Sequence, residues 1–551
     1  MENSFIANIE QSLKKYWDLD ALTDYNGSTL QYKDVARKIE KMHILMAEGG
    51  VEKGDKIAIC GRNSSHWGVA FLATITYGAV AVPILHEFTP EVVHNIVNHS
   101  DAKFMFVGDA VWPTLDAEQM PALQGIILVN DFSLLVSRSE KLTYAREHLN
   151  EMFGRKYPKN FRVEHIKYEP EASGDQLAII NYTSGSTGLS KGVMLPFRSL
   201  LSNIQFAQNA IDLKSGSNVV SMLPMAHMYG MAFEFLYEFS IGCHIYFLTR
   251  VPSPKIIFQA FADIKPHIVV AVPLIIEKII KKSVLPKLQT PTMKILLKVP
   301  IINDKIKASV RQKVIDAFGG RFYEVIVGGA AFNQDVEKFL RMIDFPYTVG
   351  YGMTECGPII CYEDWKRFKA ASCGKAAPRM EVKILSPDPQ NIVGEIICKG
   401  DNVMLGYYKN EEATREAIDA DGWLHTGDMG VIDAEGNVTI KGRCKNMLLS
   451  ASGQNIYPEE IEDKLNNLQF VSESIIIQKD EKLVALIHPD YDEAKDMSEE
   501  ELNQIMQSNI QELNTMIPHY SQISRFVIMK EEFEKTPKKS IKRFLYQDKN
   551  Y

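Results

Sequence analysis

Tyr182-Thr183-Ser184-Gly185-Ser186-Thr187-Gly188-Leu189-Ser190-Lys191-Gly192 is the stretch on which the reading of this chain turns. It follows Gln176-Leu177-Ala178-Ile179-Ile180, an apolar run that predicts a buried strand. A strand opening into small, hydroxylated and glycine residues, then a lysine, makes a cradle for phosphate. Glycine lets backbone N–H groups approach the oxygens, Ser and Thr add hydroxyl donors, and the lysine brings a mobile charge. The Gly-x-x-x-x-Gly-Lys-Ser/Thr spacing of a P-loop is absent. The loop therefore handles phosphate outside the P-loop NTPase pattern.

Around this loop, strand-like runs alternate with helical patterns. Lys56–Cys60, Phe104–Val107, Gly125–Val129, Ile268–Val272 and Tyr323–Val327 read as strands, while Val35, Ile39, Met42 and Leu45 share one helix face. The fold class expected is α/β: a large N-terminal domain (1–441) of helices layered on mainly parallel sheets. Short strands and glycine turns from Val382 to Ile440 predict a β-rich subdomain at about 376–441. From 442 to 551 the pattern predicts a small α+β C-terminal domain. Its longest helix opens on a capping box, Ser498 with Glu501, carries the stripe Leu502, Ile505, Met506, Ile510 and Leu513, and stops before Pro518. The lysine-rich tail, Lys535 to Lys549, reads as a solvated end.

With 551 residues the chain is too long for one core. Its 46% apolar and 24% charged residues are ordinary for a globular protein, and a net charge of −8 argues against a general nucleic-acid binder. The seven cysteines lack paired CxxC spacing, which favours reduced thiols over a metal site or disulfides. No N-terminal signal pattern and no apolar run of about 18 residues is present, so the expected location is cytoplasmic.

Further motifs follow the phosphate loop in order: Gly328-Gly329-Ala330, Tyr351-Gly352-Met353-Thr354-Glu355, Trp423-Leu424-His425-Thr426-Gly427-Asp428 and Gly442-Arg443-Cys444-Lys445. Together they resemble the AMP-forming adenylating superfamily, which holds the acyl-CoA synthetases, luciferases and peptide-synthetase adenylation domains. The likeness runs from Leu30 to Arg543. Val272-Pro273-Leu274-Ile275-Ile276-Glu277-Lys278-Ile279 and Phe318-Gly319-Gly320-Arg321-Phe322 look most like the long-chain fatty acyl-CoA synthetase branch.

The resemblance implies a two-step reaction using ATP, Mg²⁺ and coenzyme A. A fatty acid is adenylated with release of pyrophosphate, and the thiol then displaces AMP. It implies Thr183, Ser184, Gly185, Ser186, Thr187, Gly188 and Lys191 around the phosphates, with Glu355 and Thr183 at the metal. Gly328, Gly329 and Ala330 lie against adenine, Tyr351 stacks on it, and Gly352, Met353 and Thr354 complete that motif at the nucleotide. Asp428 accepts from the ribose hydroxyls and Arg443 donates to ribose or phosphate. His227 gates the acyl site, although a histidine among Met and Tyr also reads as a core residue. Lys445 is the hinge on which the C-terminal domain turns, and Gly453 lines a thiol tunnel. A monomer or homodimer is expected, and a greasy substrate adds peripheral membrane contact.

One position departs from the pattern. The family carries a lysine near its end, in Thr-Pro-x-x-Lys; here Thr536-Pro537-Lys538-Lys539-Ser540-Ile541-Lys542-Arg543 sets Ser540 there. A hydroxyl does not replace an ammonium against carboxylate and α-phosphate, and losing such a contact costs about 3–4 kcal/mol. Lys539 and Lys542 are the candidate substitutes. Lys542 is preferred, because in extended backbone residue i+2 returns to the same face. The alternatives are slow adenylation, a ligase for another carboxylic acid or for acyl carrier protein, or a protein that only binds nucleotide and acyl ligand.

Overall fold

The computed structural model describes residues 4–183, 191–250, 253–280, 300–450, 454–480, 482–536, 541–547, 549 and 551. Ile57, Ala58, Ile59 and Cys60 are all buried, and Lys56–Cys60 lies inside an eight-stranded sheet. The strand order is Gly406–Tyr407, Lys191–Pro196, Leu177–Thr183, Val80–Ile84, Lys56–Cys60, Ala102–Val107, Gly125–Leu128, Leu134–Ser137. The central strands run parallel, which explains their near-continuous apolar sequences: both faces are covered. The edges are antiparallel, a feature the alternation of strand and helix patterns did not announce.

Helix Ser65–Tyr77 packs with Trp67, Val69, Phe71, Leu72 and Ile75 all buried. Ser64 caps its start by accepting from the Trp67 N–H at 3.1 Å, and Gly78 closes it at φ 86°, a conformation glycine adopts without strain. Helix Tyr32–Glu48 buries Val35, Ile39, Met42 and Leu45, as their spacing predicts.

A second sheet joins Asn218–Ser221, His244–Phe247 and Asp20–Asp24 in parallel, with Thr29–Gln31 antiparallel at the edge. A third holds Val269–Ala271, Val325–Val327 and Tyr347–Val349, all parallel, and the bridge Val219↔Ile268 links it to the second. The segment Met228 to Ser240 is helical with a π-turn at Ala232–Leu236. Its glutamates, Glu234 and Glu238, are fully buried. No helix among the described residues is long and apolar enough to cross a membrane.

The β-rich interval forms an antiparallel sheet of Met380–Leu385, Gly394–Gly400, Leu424–Ile432 and Val438–Arg443. One strand of that interval, Gly406–Tyr407, belongs elsewhere. It pairs with Lys191–Pro196 and carries the subdomain's chain back to the large sheet.

In the C-terminal domain, Val471–Lys479 and Lys482–Pro489 pair antiparallel, and Ile523–Ile528 adds in parallel. Helices Pro458–Leu465 and Glu499–Met516 cover one face through Ile461, Leu465, Leu502, Met506, Ile510 and Leu513. The capping box of Ser498 and Glu501 is formed. The tail departs from the expected solvated end. Phe533 and Tyr546 meet edge to face at 5.2 Å and cover Ile475, Ile477, Val484 and Leu486. A two-layer domain leaves that second sheet face open, and the tail's apolar residues close it.

All seven cysteines are free thiols, six of them buried. Burial pushes the Cys60 thiol up to about 12.

Candidate functional site

Strands Leu177–Thr183 and Lys191–Pro196 form a hairpin in which Thr183 pairs with Lys191. The phosphate loop is therefore anchored at both ends by one sheet. A strand follows it, whereas a P-loop leads into a helix. Ser184, Gly185, Ser186, Thr187 and Gly188 lie outside the described residues.

The adjoining edge strand brings Tyr407 onto Lys191. Gly406 and Tyr407 register with Met194 and Val193, and the Tyr408 N–H donates to the Gly192 carbonyl at 2.7 Å. The Lys191 ammonium sits 4.9 Å from the centre of the Tyr407 ring, a cation–π distance. The Tyr407 hydroxyl donates to Glu355 Oε1 at 2.9 Å. The backbone adds a second tie, the Met404 N–H to the Glu355 carbonyl at 2.8 Å. Burial and the Glu355 carboxylate both push the Tyr407 phenol upward, so it stays a donor. Glu355 itself stands on a single 3₁₀ turn, Thr354–Cys356, with Thr354 buried beneath it.

The other end of the site is built where parallel strands stop. Val325–Val327 and Tyr347–Val349 run side by side, and the Gly350 N–H donates to the Val327 carbonyl at 2.9 Å. Beyond their carboxyl ends emerge Gly328-Gly329-Ala330 and Tyr351-Gly352-Met353, the place where open α/β sheets receive ligands. Gly328 is buried and a Cβ there would lie 3.0 Å from the Tyr229 ring, while Gly329 takes φ 89°. Gly329 and Ala330 face outward, and Gly352 is exposed with Met353 half-buried.

Tyr351 is buried and donates its hydroxyl to Asp428 Oδ2 at 2.7 Å. Asp428 stands directly across the hairpin from Arg443, whose Nε lies 3.1 Å from Oδ1. Its position is set by the preceding turn. Gly427 takes φ 70°, Thr426 donates to the Ile396 carbonyl at 2.7 Å, and the Asp428 N–H donates to the Thr426 hydroxyl at 3.1 Å. Burial raises the Asp428 carboxyl, while Arg443 and Tyr351 pull it back. Among the described residues each oxygen has one hydrogen-bonding or ionic partner, which leaves it a further lone pair.

The segment from Tyr351 to Glu355 thus joins two groups of expected residues. Tyr351, Asp428 and Arg443 meet at its start, and Glu355 and Lys191 share Tyr407 at its end. Among the described residues no group of three or more His, Cys, Asp or Glu gathers as a metal cage. Magnesium carried by a nucleotide needs only one or two carboxylates beside the phosphates, a requirement that a lone carboxylate such as Glu355 has the chemistry to meet.

The remaining expected residues have the following local surroundings. His227 caps helix Met228–Met231 by accepting from the Tyr229 N–H at 3.2 Å. Lys445 is exposed on the 3₁₀ turn Cys444–Asn446. Lys542 pairs with Glu534 of its own domain at 3.5 Å. Gly453, Lys539 and Ser540 lie outside the described residues. Two residues escaped the sequence reading. Tyr407 joins the site only through the edge-strand pairing. Tyr229 wedges against Gly328 and donates to the Ile326 carbonyl at 3.2 Å.

The AMP-binding enzyme family model matches residues 9–408, and that of the AMP-binding enzyme C-terminal domain matches 445–549. A long-chain-fatty-acid–CoA ligase of Rattus norvegicus is 27% identical over 529 residues, 90% of this chain and 78% of its own length. A long-chain-fatty-acid–CoA ligase of Escherichia coli is 26% identical over 484 residues, 84% of this chain and 80% of its own. Among solved structures, ATP-bound MatB from Rhodopseudomonas palustris superposes with a TM-score of 0.78 at 20% identity, covering 100% of this chain and 99% of that one. The o-succinylbenzoate coenzyme A synthetase of Bacillus subtilis with AMP gives 0.74 at 20%, covering 98% of each. At these identities the solved structures speak for the fold, and the family models, which together span most of the chain, speak for kinship. The chain belongs to the AMP-binding enzyme family, the AMP-forming adenylating superfamily that includes the acyl-CoA ligases.

Proposed function

We propose that the protein activates a fatty acid, of long chain, through an acyl-adenylate and transfers the acyl group to coenzyme A. The carboxylate oxygen bonds to the α-phosphorus as the bond to pyrophosphate breaks. The thiol then bonds to the acyl carbon, its proton is lost, and AMP leaves. Carboxylates acylate poorly, and adenylation gives them a good leaving group.

The observation that carries this reading is the chain of contacts from Lys191 through Tyr407 to Glu355, and from Tyr351 to Asp428 and Arg443, residues that three separate sheets bring together. In it, Lys191 and the loop after Thr183 neutralise the outer phosphates, and Glu355 holds Mg²⁺. Bound there, the metal would offset phosphate charge as the bond to pyrophosphate breaks. Asp428 takes the ribose hydroxyls on its remaining lone pairs, and Arg443 reaches from it to ribose or phosphate. Gly328 to Ala330 lie against the base. The fatty acyl assignment is supported by the named activities of the rat and Escherichia coli relatives. It is also supported by the buried aromatic helix that Tyr229 leads into, with Phe233 and Phe235. The setting we propose is the cytoplasm, with a membrane surface as one source of the acid.

A second reading, a weak adenylating or merely binding protein, draws on Ser540 and on the ion pair that engages Lys542. Incubation with ATP, Mg²⁺, coenzyme A and a series of fatty, aromatic and dicarboxylic acids separates the two. Thioester and AMP with fatty acids support the first reading. Thioester from another acid class alone overturns the fatty acyl assignment, and ATP retention without turnover favours the second.

A further inference from the structure

Helix Gln334–Met342 leaves the Gly328–Ala330 turn through its cap, Asn333, which is buried. Every polar atom of that residue is engaged. Its N–H donates to Glu277 Oε1 at 3.1 Å, and its carbonyl accepts from the Glu337 N–H at 2.9 Å. Its side-chain Oδ1 accepts from the Asp335 and Val336 N–H groups, each at 3.1 Å. Its Nδ2 donates to Asp463 Oδ1 at 3.2 Å and to Asn467 Oδ1 at 2.7 Å.

The first four contacts lie within the N-terminal domain. The last two cross to the C-terminal one, where Asp463 stands in helix Pro458–Leu465 and Asn467 just beyond it. Asn467 is itself oriented, since its Nδ2 donates to the Asp463 carbonyl at 3.0 Å. Two acceptors of the small domain thus converge on one donor of the large domain. Two further ties to helix Pro458–Leu465 come from the hinge segment: Lys441, at the end of the large domain, to Glu460 at 2.9 Å, and Asn446, just inside the small one, to Glu459 at 2.5 Å. Asn333 is remote from the hinge in sequence and holds the same helix from the nucleotide side.

We propose that Asn333 is a positioning residue: a latch that keeps the C-terminal domain in this orientation and releases it when the domain turns between the two half-reactions. The proposal rests on the adenylating reading and on a hinge near Lys445. The contact suits such a device. A hydrogen bond to a carboxylate shifts an equilibrium by about tenfold or more, enough to bias a domain and little enough to break in each cycle. Its anchor caps the helix that follows the adenine turn, so docking and that turn share one element.

Asn333→Asp tests it. The new side chain still caps the helix, but it donates nothing and sets a carboxylate against Asp463. The distance between dyes on the two domains reports docking by energy transfer. Acyl-AMP formation and thioester formation from supplied acyl-AMP are assayed separately. We expect the docked population to fall by about tenfold and the ratio of the two half-reaction rates to change by a similar factor, with the melting temperature near that of the parent. Asn333→Asp combined with Asp463→Asn restores a donor across the contact and should return both readouts. Asn467→Ala, which leaves the cap untouched, should shift docking in the same direction. Unchanged distance and ratio, or a parallel loss of both half-reactions without rescue, would overturn the latch. The distance readout needs no substrate. A chain that activates no acid yet shows the shift and its rescue keeps the latch and loses the functional reading.

Discussion

The hydroxyl of Tyr407 donates to the carboxylate of Glu355 across 2.9 Å, while the ring of the same tyrosine lies 4.9 Å from the Lys191 ammonium. One side chain thereby sets the spacing between the cation and the anion expected at opposite sides of a magnesium–phosphate group. Tyr407→Phe keeps the ring under Lys191 and removes the bond. Bonds to charged groups are worth about 1.5–3 kcal/mol, so adenylate formation should fall by about tenfold to a hundredfold. Pyrophosphate exchange at graded Mg²⁺ measures it, and melting should hardly change. A rate equal to that of the parent would show that Tyr407 does not orient Glu355.

Asp428 and Arg443 make a second pair, held by the register of adjacent strands. Asp428→Asn keeps the shape and removes the charge that both Arg443 and a ribose would use. The KM for ATP should rise by about tenfold or more, since charge-assisted bonds carry roughly twice the strength of neutral ones. Calorimetric titration with AMP gives the same comparison without turnover. Equal AMP affinity in both proteins would remove Asp428 from the nucleotide site.

The tail offers a direct contrast. We propose that Lys542 leaves Glu534 to take the place of the family's lysine, so Lys542→Ala should lose about a hundredfold in acyl-AMP formation. Lys539→Ala should lose much less. Single-turnover formation of acyl-AMP is the measurement. Near-normal rates in both variants would contradict the substitution of one lysine for another.

Glu238 is fully buried, and burial pushes its carboxyl from 4.5 up to about 8. Between those values the folded protein keeps a proton that the unfolded chain has released. This group's contribution therefore makes stability fall as pH rises, by up to about 1.4 kcal/mol per pH unit. Glu238→Gln removes it. Its melting temperature should gain on the parent steadily from about pH 5 to pH 8. Parallel melting curves across that window would show that Glu238 ionises as easily in the fold as outside it.

Much of the architecture was legible because it is written locally. Within Lys56–Cys60, the residues Ile57 to Cys60 run apolar without a break because the sheet is covered on both faces, and the stripe of the Glu499–Met516 helix repeats with the helical turn. Tyr407 was not legible. Its strand spans only Gly406–Tyr407, inside an interval that otherwise builds another sheet, and its partner Lys191–Pro196 is distant in sequence. The tail misled because its lysines dominate its composition while Ile541, Leu545 and Tyr546 do the packing, together with Phe533 just before it. Asn333 carries no signal beyond that of an ordinary helix cap, since the residues it grips come from another domain. Motif order supplied the expected members of the site; which of them meet, and through which third residue, depends on pairings that span the chain.

The most direct test is the fate of ATP given a long-chain fatty acid and Mg²⁺, with and without coenzyme A. The account predicts acyl-AMP and pyrophosphate when coenzyme A is withheld, and equal amounts of AMP and acyl thioester when it is supplied. Release of ADP and phosphate instead, or ATP left intact with every acid offered, would contradict it.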